Sequence, residues 1–542
     1  MTSFKKMTAI FLILVMGIVS MSGCAKEQKA DTNKTAKQNN GETKKEKNST
    51  PIKIDWLAYN CYAQPDKNSE IVKKMEEKFN ADFNFWFVDD QRWDEVLGVK
   101  LAGGDMPDIM RIKNTANISN YVKQGILAEI TPEMLAQLPK FNKNIESVIP
   151  ADDKSGFKDC YYNGKLYAIK YPIISGSYPT ILVWRTDWLK KYGIDKVPTT
   201  LDEFEDAIYK FALEDPDGNN KKDTFGLSNT VMNAVFGAFG PIPLKEFRGT
   251  GTQNLFYTII NDRVEFACVQ PEMKDALAKL SKWYKDGVID PEFITGENKG
   301  GYWAVSQDFE NGKVGVTGMC LASHWQPPND DGKVGSVYDS FMKVNPDAKW
   351  KDTVYIGGAI KGPKGKAGTH CWGAFSSAGF AITTKALEDP KKLDTILNII
   401  EQNSSDFDTY VLNRYGIEGK HHKINDKGIY EKMDPYNDLV EGGKVGIDAL
   451  SIGFNSDFEK KAAPTKYTFL DKFKTEGYSD VLVPSTKAAE QYLTDLKTFT
   501  LNAYIKIITG EEDIDYFDTF VKEFNKLGGK QIIEEINSSI GN

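Results

Sequence analysis

From Ile52 onward the chain switches repeatedly between two hydrophobic periods, and this alternation constrains its fold more than any single motif. Ile52, Ile54 and Trp56 recur at every second residue, the spacing of a half-buried strand. Ile71, Met75 and Phe79 recur at helical spacing, and Phe83, Phe85 and Phe87 return to period two. Leu97 and Leu101 mark a second helix, which Gly103-Gly104 stops, and Asp108 to Ile112 reads as a third strand. Strand and helix in alternation imply a mainly parallel sheet with helices on both faces, because a parallel connection must cross the sheet.

The same grammar resumes further on. Ile181 to Trp184 reads as a strand, and Thr186 is placed to cap a short helix closed by Gly193. Thr200 and Glu203 have the spacing of a capping box, in front of a stripe of Phe204, Ile208 and Phe211. A helix is expected over Glu272 to Lys285, with strands near Val314 and Phe380 and further helices towards the C-terminus. Residues 51–542 are long enough for two domains, and two α/β lobes are the economical arrangement.

The first fifty residues differ in kind. Lys5 and Lys6 precede the apolar run Thr8 to Val19, which is shorter than the roughly 20 residues a membrane-spanning helix needs. A charged start, a short apolar core and small residues describe a signal peptide, here residues 1–23. Met21-Ser22-Gly23-Cys24 resembles a lipobox, with Met21 where Leu is usual. That resemblance implies diacylglycerol on Cys24 and anchoring at the extracellular face of the cell membrane. Residues 24–50, rich in Lys, Asn, Thr, Gln and Glu, bury too little to offset their ordering entropy and read as a disordered tether.

Charge narrows the partners. The whole chain is formally −8, and the leader and tether are net basic, with Lys5, Lys6 and seven tether lysines against four acids. The remainder therefore carries about −13, which argues against nucleic acid, whose phosphates need clustered Lys and Arg. Cys61, Cys160, Cys268, Cys320 and Cys371 are too widely spaced for a C-x-x-C site, and the four histidines form no H-E-x-x-H helix. These cysteines read as small buried residues, and the sequence leaves open whether two of them form a disulfide.

Ordered landmarks then go beyond periodicity. Leu101-Ala102-Gly103-Gly104-Asp105-Met106-Pro107-Asp108-Ile109 resembles a helix-turn-strand signature of family 1 extracellular solute-binding proteins of ABC importers. Asn163 to Ile169 (NGKLYAI), Trp184 to Leu189 (WRTDWL), Pro198 to Phe204 (PTTLDEF), Asp286 to Pro291 and Asn311 to Gly315 are similar to later landmarks, in order. The long oligosaccharide-binding lipoproteins, related to alginate-binding proteins, resemble this chain best. The resemblance implies a two-lobed α/β periplasmic-binding-protein-like fold with a multi-strand hinge and a ligand cleft between lobes. It implies crossings near Gly176, Phe375 and Tyr436, hence an N-lobe of 51–175 and 375–435 and a C-lobe of 176–374 and 436–542. It further implies a monomer that delivers its ligand to permease subunits.

Asp215, Asp217, Asn219, Lys221 (through its carbonyl) and Asp223 place oxygens at alternate positions, as EF-hand loops do around Ca²⁺. Asn220 replaces the usual Gly, and Gly226 stands where a bidentate Glu would be. The related alginate-binding proteins carry a similar loop, so a structural Ca²⁺ is expected. Sugars need aromatic platforms rimmed by polar groups, placed in open α/β sheets at strand carboxyl ends and crossovers. The candidates are Tyr59 and Asn60 after the first strand, Lys113 and Asn114 after the third, and Tyr178 by the first crossover. His324 and Trp325 after the Gly312 to Gly318 strand, Trp372 before the second crossover, and Trp303 complete the set. A same-fold binder of a peptide or other solute is the alternative. A polysaccharide-degrading enzyme is the more distant one, since no G-x-S-x-G elbow or metal-hydrolase motif is present.

Overall fold

The computed structural model describes residues 50–89, 92–148, 158–172, 180–247, 254–294, 306–328, 334–371, 375–452, 455–473, 477–479 and 481–540. Cys24, the signal peptide and the tether up to residue 49 lie outside them, as do Tyr178, Trp303 and Trp372. From Thr50 the chain forms one compact unit containing two lobes, each built on its own sheet and core.

In the first lobe β1 (Ile52–Leu57) lies between β2 (Ala81–Phe85) and β3 (Ile109–Ile112), parallel to both. The periodicity has its expected consequence: Ile54 and Trp56 of β1 and Phe83 and Phe85 of β2 are buried, with the two Phe rings stacked. Helix α1 (Glu70–Phe79) buries Ile71, Met75 and Phe79; Ser69 caps its start and Asn80, in the left-handed region, ends it. Helix α2 (Trp93–Ala102) buries Trp93 and Leu97, and Gly103 ends it.

Four of the five strands of this sheet run the same way, as expected, and one reverses. Strand Phe375–Ile382 runs antiparallel to β3 on one side and to strand Ile169–Pro172 on the other. It enters the first lobe after the chain has already formed part of the second, so it arrives from the opposite end. The second lobe departs further from expectation. Its three-stranded sheet, Val316–Thr317, Val183–Arg185 and Val354–Ile356, is antiparallel throughout. The capping box at Thr200 and Glu203 forms, and the helix Leu201–Leu213 buries Phe204, Ile208 and Phe211. Thr186 does not cap; it is the first helical residue, and its hydroxyl donates to the Asp352 carbonyl at 2.8 Å.

Two large cores divide the chain. One takes buried residues between Ile54 and Ile169 and between Phe380 and Ile452; the other takes residues from Leu182 to Ile360 and from Ala488 to Ile536. The crossing expected near Tyr436 is therefore misplaced. The Trp56 indole donates to the Ala449 carbonyl at 2.8 Å and the Asn403 amide to that of Leu450 at 2.9 Å, so residues through Ile452 remain in the first lobe. Leu470, by contrast, packs with Ile181 and Trp325 of the second lobe. Within the second lobe Thr180, His370 and Tyr478 lie side by side: the Thr180 N–H donates to the His370 carbonyl, His370–Cys371 pairs with Tyr478–Ser479, and the Tyr478 hydroxyl donates to the Gly237 carbonyl at 2.8 Å. A Cβ at Gly477 would sit 2.1 Å from Cys371 Sγ, so only glycine allows this approach.

Candidate functional site

Sheet direction decides which edge of the first lobe faces the second. Strand Ile169–Pro172 runs the same way as β3, because both are antiparallel to Phe375–Ile382. Its carboxyl end leads towards the second lobe, as does the amino end of Phe375–Ile382. The carboxyl ends of β1 and β3 therefore face the same way, at the edge where open α/β sheets hold ligands.

The sequence candidates divide at this edge. Asn60 is exposed just past β1. Lys113 is half-buried past β3, its ammonium 5.6 Å from the Trp93 ring centre, with the Arg111 guanidinium 5.9 Å from the same ring. Asn114 is exposed, and its side-chain oxygen accepts the Ala116 N–H at 3.1 Å, capping the short turn 115–117. Tyr59 is not a surface platform. It is 5% exposed, packs edge-on against Phe85, and its hydroxyl donates to the Trp86 carbonyl at 2.8 Å. Trp325 is likewise corrected: it is fully buried, edge-on to Phe309 at 5.4 Å and beside Trp350, and leaves no face for a sugar in this conformation. Its neighbour His324 is half-buried, and burial pushes its pKa down to about 4, so it is neutral at physiological pH.

Sequence reasoning missed a buried ion pair at the same edge. Lys170 is 2% exposed and donates to Asp159 at 2.6 Å, and the Thr115 hydroxyl donates to the same carboxylate oxygen at 2.9 Å. A lysine in a strand ordinarily reads as surface, so only the fold could find it. Tyr62 and Gln64 are exposed just beyond Asn60, and the Gln64 amide donates to the Phe85 carbonyl at 2.9 Å.

The acidic loop folds as a tight turn. Asp215 accepts backbone N–H groups of Gly218, Asn219 and Asn220 at 3.0–3.1 Å, and Asn220 adopts φ +59°, the left-handed conformation that Asn tolerates. The Asn219 amide donates to Asp217 at 2.6 Å and to Asp223 at 3.1 Å. Burial, the hydrogen bond with Asp215 and the charge of Asp223 push the Asp217 carboxyl up. Burial opposes ionisation of Asp215, but the hydrogen bond with Asp217 and the three N–H donors hold its pKa down. An all-oxygen set whose carboxylates crowd one another fits a hard cation in its chemistry. Among the described residues, however, no three carboxylate, His or Cys groups converge closely enough to form a metal centre. The five described cysteines are buried and free of disulfides.

Residues 70–359 match the family described as bacterial extracellular solute-binding protein, and the chain belongs to that family. Two full-length relatives come from Bacillus subtilis (strain 168). The polygalacturonan/rhamnogalacturonan-binding protein YtcQ is 26% identical over 97% of this chain and 96% of its own length. The lipoprotein LipO is 25% identical over 87% of this chain and 89% of its own. A crystal structure of the alginate-binding protein AlgQ2 without calcium ion superposes with a TM-score of 0.65 at 17% identity, covering 91% of this chain and 99% of that one. That likeness carries the two-lobed fold. Among the described residues no helix is long and apolar enough to cross a membrane.

Proposed function

We propose that this protein captures an oligosaccharide between its lobes at the extracellular face of the cell membrane and passes it to the permease subunits of an ABC transporter without cleaving it. The observation that carries the reading is the end-to-end similarity to YtcQ, a polygalacturonan/rhamnogalacturonan-binding member of a solute-binding family. The first lobe adds amide and cationic side chains, Asn60, Lys113 and Asn114, at the edge that faces the second. Tyr178, Trp303 and Trp372 complete the proposed contact set, with His324 at the rim. A ligand that touches both lobes shifts an open–closed population, and the closed form is what a permease can read.

The anchor is Cys24, with residues 24–50 as leash, a layout in keeping with the lipoprotein relative LipO. The protein acts as a monomer. Asp215, Asp217, Asn219, the Lys221 carbonyl and Asp223 would hold a Ca²⁺, which supplies the positive charge the crowded carboxylates call for. Lobe boundaries follow the cores: 51–175 and 375 to about 463 form the first lobe, and 176–374 with the rest of the chain the second.

A thermal-shift screen of the protein against acidic and neutral oligosaccharides and a set of peptides tests the reading, because a ligand that binds only the folded state raises Tm. A shift with one sugar class, and no product on incubation, supports it. Cleavage of a panel member refutes the binding-protein reading, and a shift with peptides alone refutes the sugar.

A further inference from the structure

Three separate segments of the first lobe meet on one carboxylate. Asp159 sits in a short helical turn, Lys158–Cys160, with its side chain 13% exposed. One of its oxygens accepts both the Lys170 ammonium at 2.6 Å and the Thr115 hydroxyl at 2.9 Å. Lys170 is 2% exposed and belongs to the strand Ile169–Pro172, which leads out of the lobe. That strand lies tight against its neighbour: a Cβ at Gly379 would sit 2.4 Å from the Ile169 carbonyl oxygen and 3.0 Å from Lys170 Cα. Water reaches neither charge freely, so bonds to this carboxylate are stronger than the same bonds at a surface.

Thr115 opens the segment through which the first lobe meets the second. Asn114, proposed above as a ligand contact, precedes it, and the Asn114 side chain accepts the Ala116 N–H at 3.1 Å. The Asn117 N–H donates to the Asn114 carbonyl at 3.1 Å, and the helix Ile118–Lys123 follows directly. At the far end Lys123 pairs with Glu490 of the second lobe, and its ammonium lies 5.8 Å from the ring centre of Tyr162, just beyond Asp159. Both ends of residues 115–123 are therefore tied to the stretch 159–162, which Lys170 ties in turn to the outgoing strand. A segment that must contact a ligand and meet the opposite lobe loses less entropy on binding if its position is already fixed.

We propose that Asp159 is a positioning residue for ligand capture: held by Lys170, it fixes Thr115, and with it residues 114–123, relative to the strand that joins the lobes. A buried ion pair adds little stability over apolar groups of similar size, so the pair is assigned to position rather than to stability. The inference rests on the oligosaccharide reading and extends it from contact residues to a group that acts without touching the sugar. Displacement of the outgoing strand as the lobes close is passed to Asn114 through two bonds, Lys170 to Asp159 and Thr115 to Asp159.

The test compares wild type, Thr115→Val and Thr115→Ser in the full chain. Val matches Thr in shape and removes only the hydroxyl, and Asp159 keeps its bond to Lys170, so Tm should stay close to wild type. Hydrogen exchange read by mass spectrometry should show the Ala116 and Asn117 amides exchanging about tenfold faster in Thr115→Val, the loss of one bond to a charged group. Calorimetric titration with galacturonate oligomers and with neutral oligosaccharides should show affinity weakened by a similar factor in that variant, and Thr115→Ser should restore both. A purely structural Thr115 would instead lower Tm in the Val variant and leave affinity alone. Unchanged exchange in Thr115→Val overturns the tie. Faster exchange with unchanged affinity, beside a wild type that binds, overturns the positioning role and leaves the oligosaccharide reading standing. If wild type binds no sugar of either set, that reading falls and the positioning role falls with it.

Discussion

Asp108 offers a severe test of how the first lobe is held together. It is fully buried at the start of β3, accepts the Asp55 N–H at 2.7 Å and receives the Lys392 ammonium at 2.9 and 3.1 Å. Asp108→Ala leaves an ammonium 19% exposed without its carboxylate and a backbone N–H without its acceptor. Breaking a buried pair costs about 3–5 kcal/mol. Lys392 reaches some water, so the lower end, about 3 kcal/mol, is expected, of which the orphaned N–H contributes about 1–3 kcal/mol. Lys392→Met strands the carboxylate instead and should cost a similar amount. The double variant removes both charges and should lose much less than the two singles summed, because replacing a buried pair by apolar groups is often close to neutral. Urea unfolding, with each midpoint shift converted through the slope, measures all three variants. A single-variant loss below about 1 kcal/mol, or additivity within about 0.5 kcal/mol, would refute the argument that this pair is coupled and desolvated.

Three further outcomes are expected. His324, held near pKa 4 against 6.5 when unfolded, binds its proton less readily in the folded state, so its share of stability is whole above pH 6.5 and lost as pH falls towards 4. That share is about 3 kcal/mol at most, and His324→Gln should flatten the acid limb of the stability curve; a constant offset from wild type between pH 7 and 4.5 would count against it. Lys123 of helix α3 (Ile118–Lys123) in the first lobe pairs with Glu490 of the second, so Glu490→Lys should alter the lobe separation seen by X-ray scattering and Lys123→Glu/Glu490→Lys should restore it. Identical scattering from all forms would show that the pair has no hold on the hinge. Chelator should lower Tm in wild type but not in Asp217→Asn, which removes one proposed ligand of the cation; equal melting with and without chelator in both would remove Ca²⁺ from the account.

Much of the framework could be read from the sequence, because it rests on local rules. Ile54, Trp56, Phe83 and Phe85 face inward as their period dictates, and Thr200 with Glu203 closes its capping box without help from distant chain. Long-range pairing escaped that reasoning. Nothing near Phe375 tells it to run antiparallel between two earlier strands, and nothing near Tyr436 says that Trp56 will hold Ala449 in the first lobe. The site suffered for the same reason. An aromatic at a strand end can serve as platform or as packing, and the difference lies in what covers it. Tyr59 is covered by Phe85 and Trp325 by Phe309 and Trp350, each distant from it in sequence, while Tyr62, only three residues beyond Tyr59, is left exposed.

The central claim is capture of an intact oligosaccharide, and the most direct test is equilibrium dialysis of the purified protein against a labelled galacturonate oligomer, followed by chromatography of the recovered sugar. The account predicts saturable uptake of one oligomer per chain and recovery of the sugar at its original length. Shortened sugar would contradict it, as would an absence of uptake both for this oligomer and for a neutral one run in parallel.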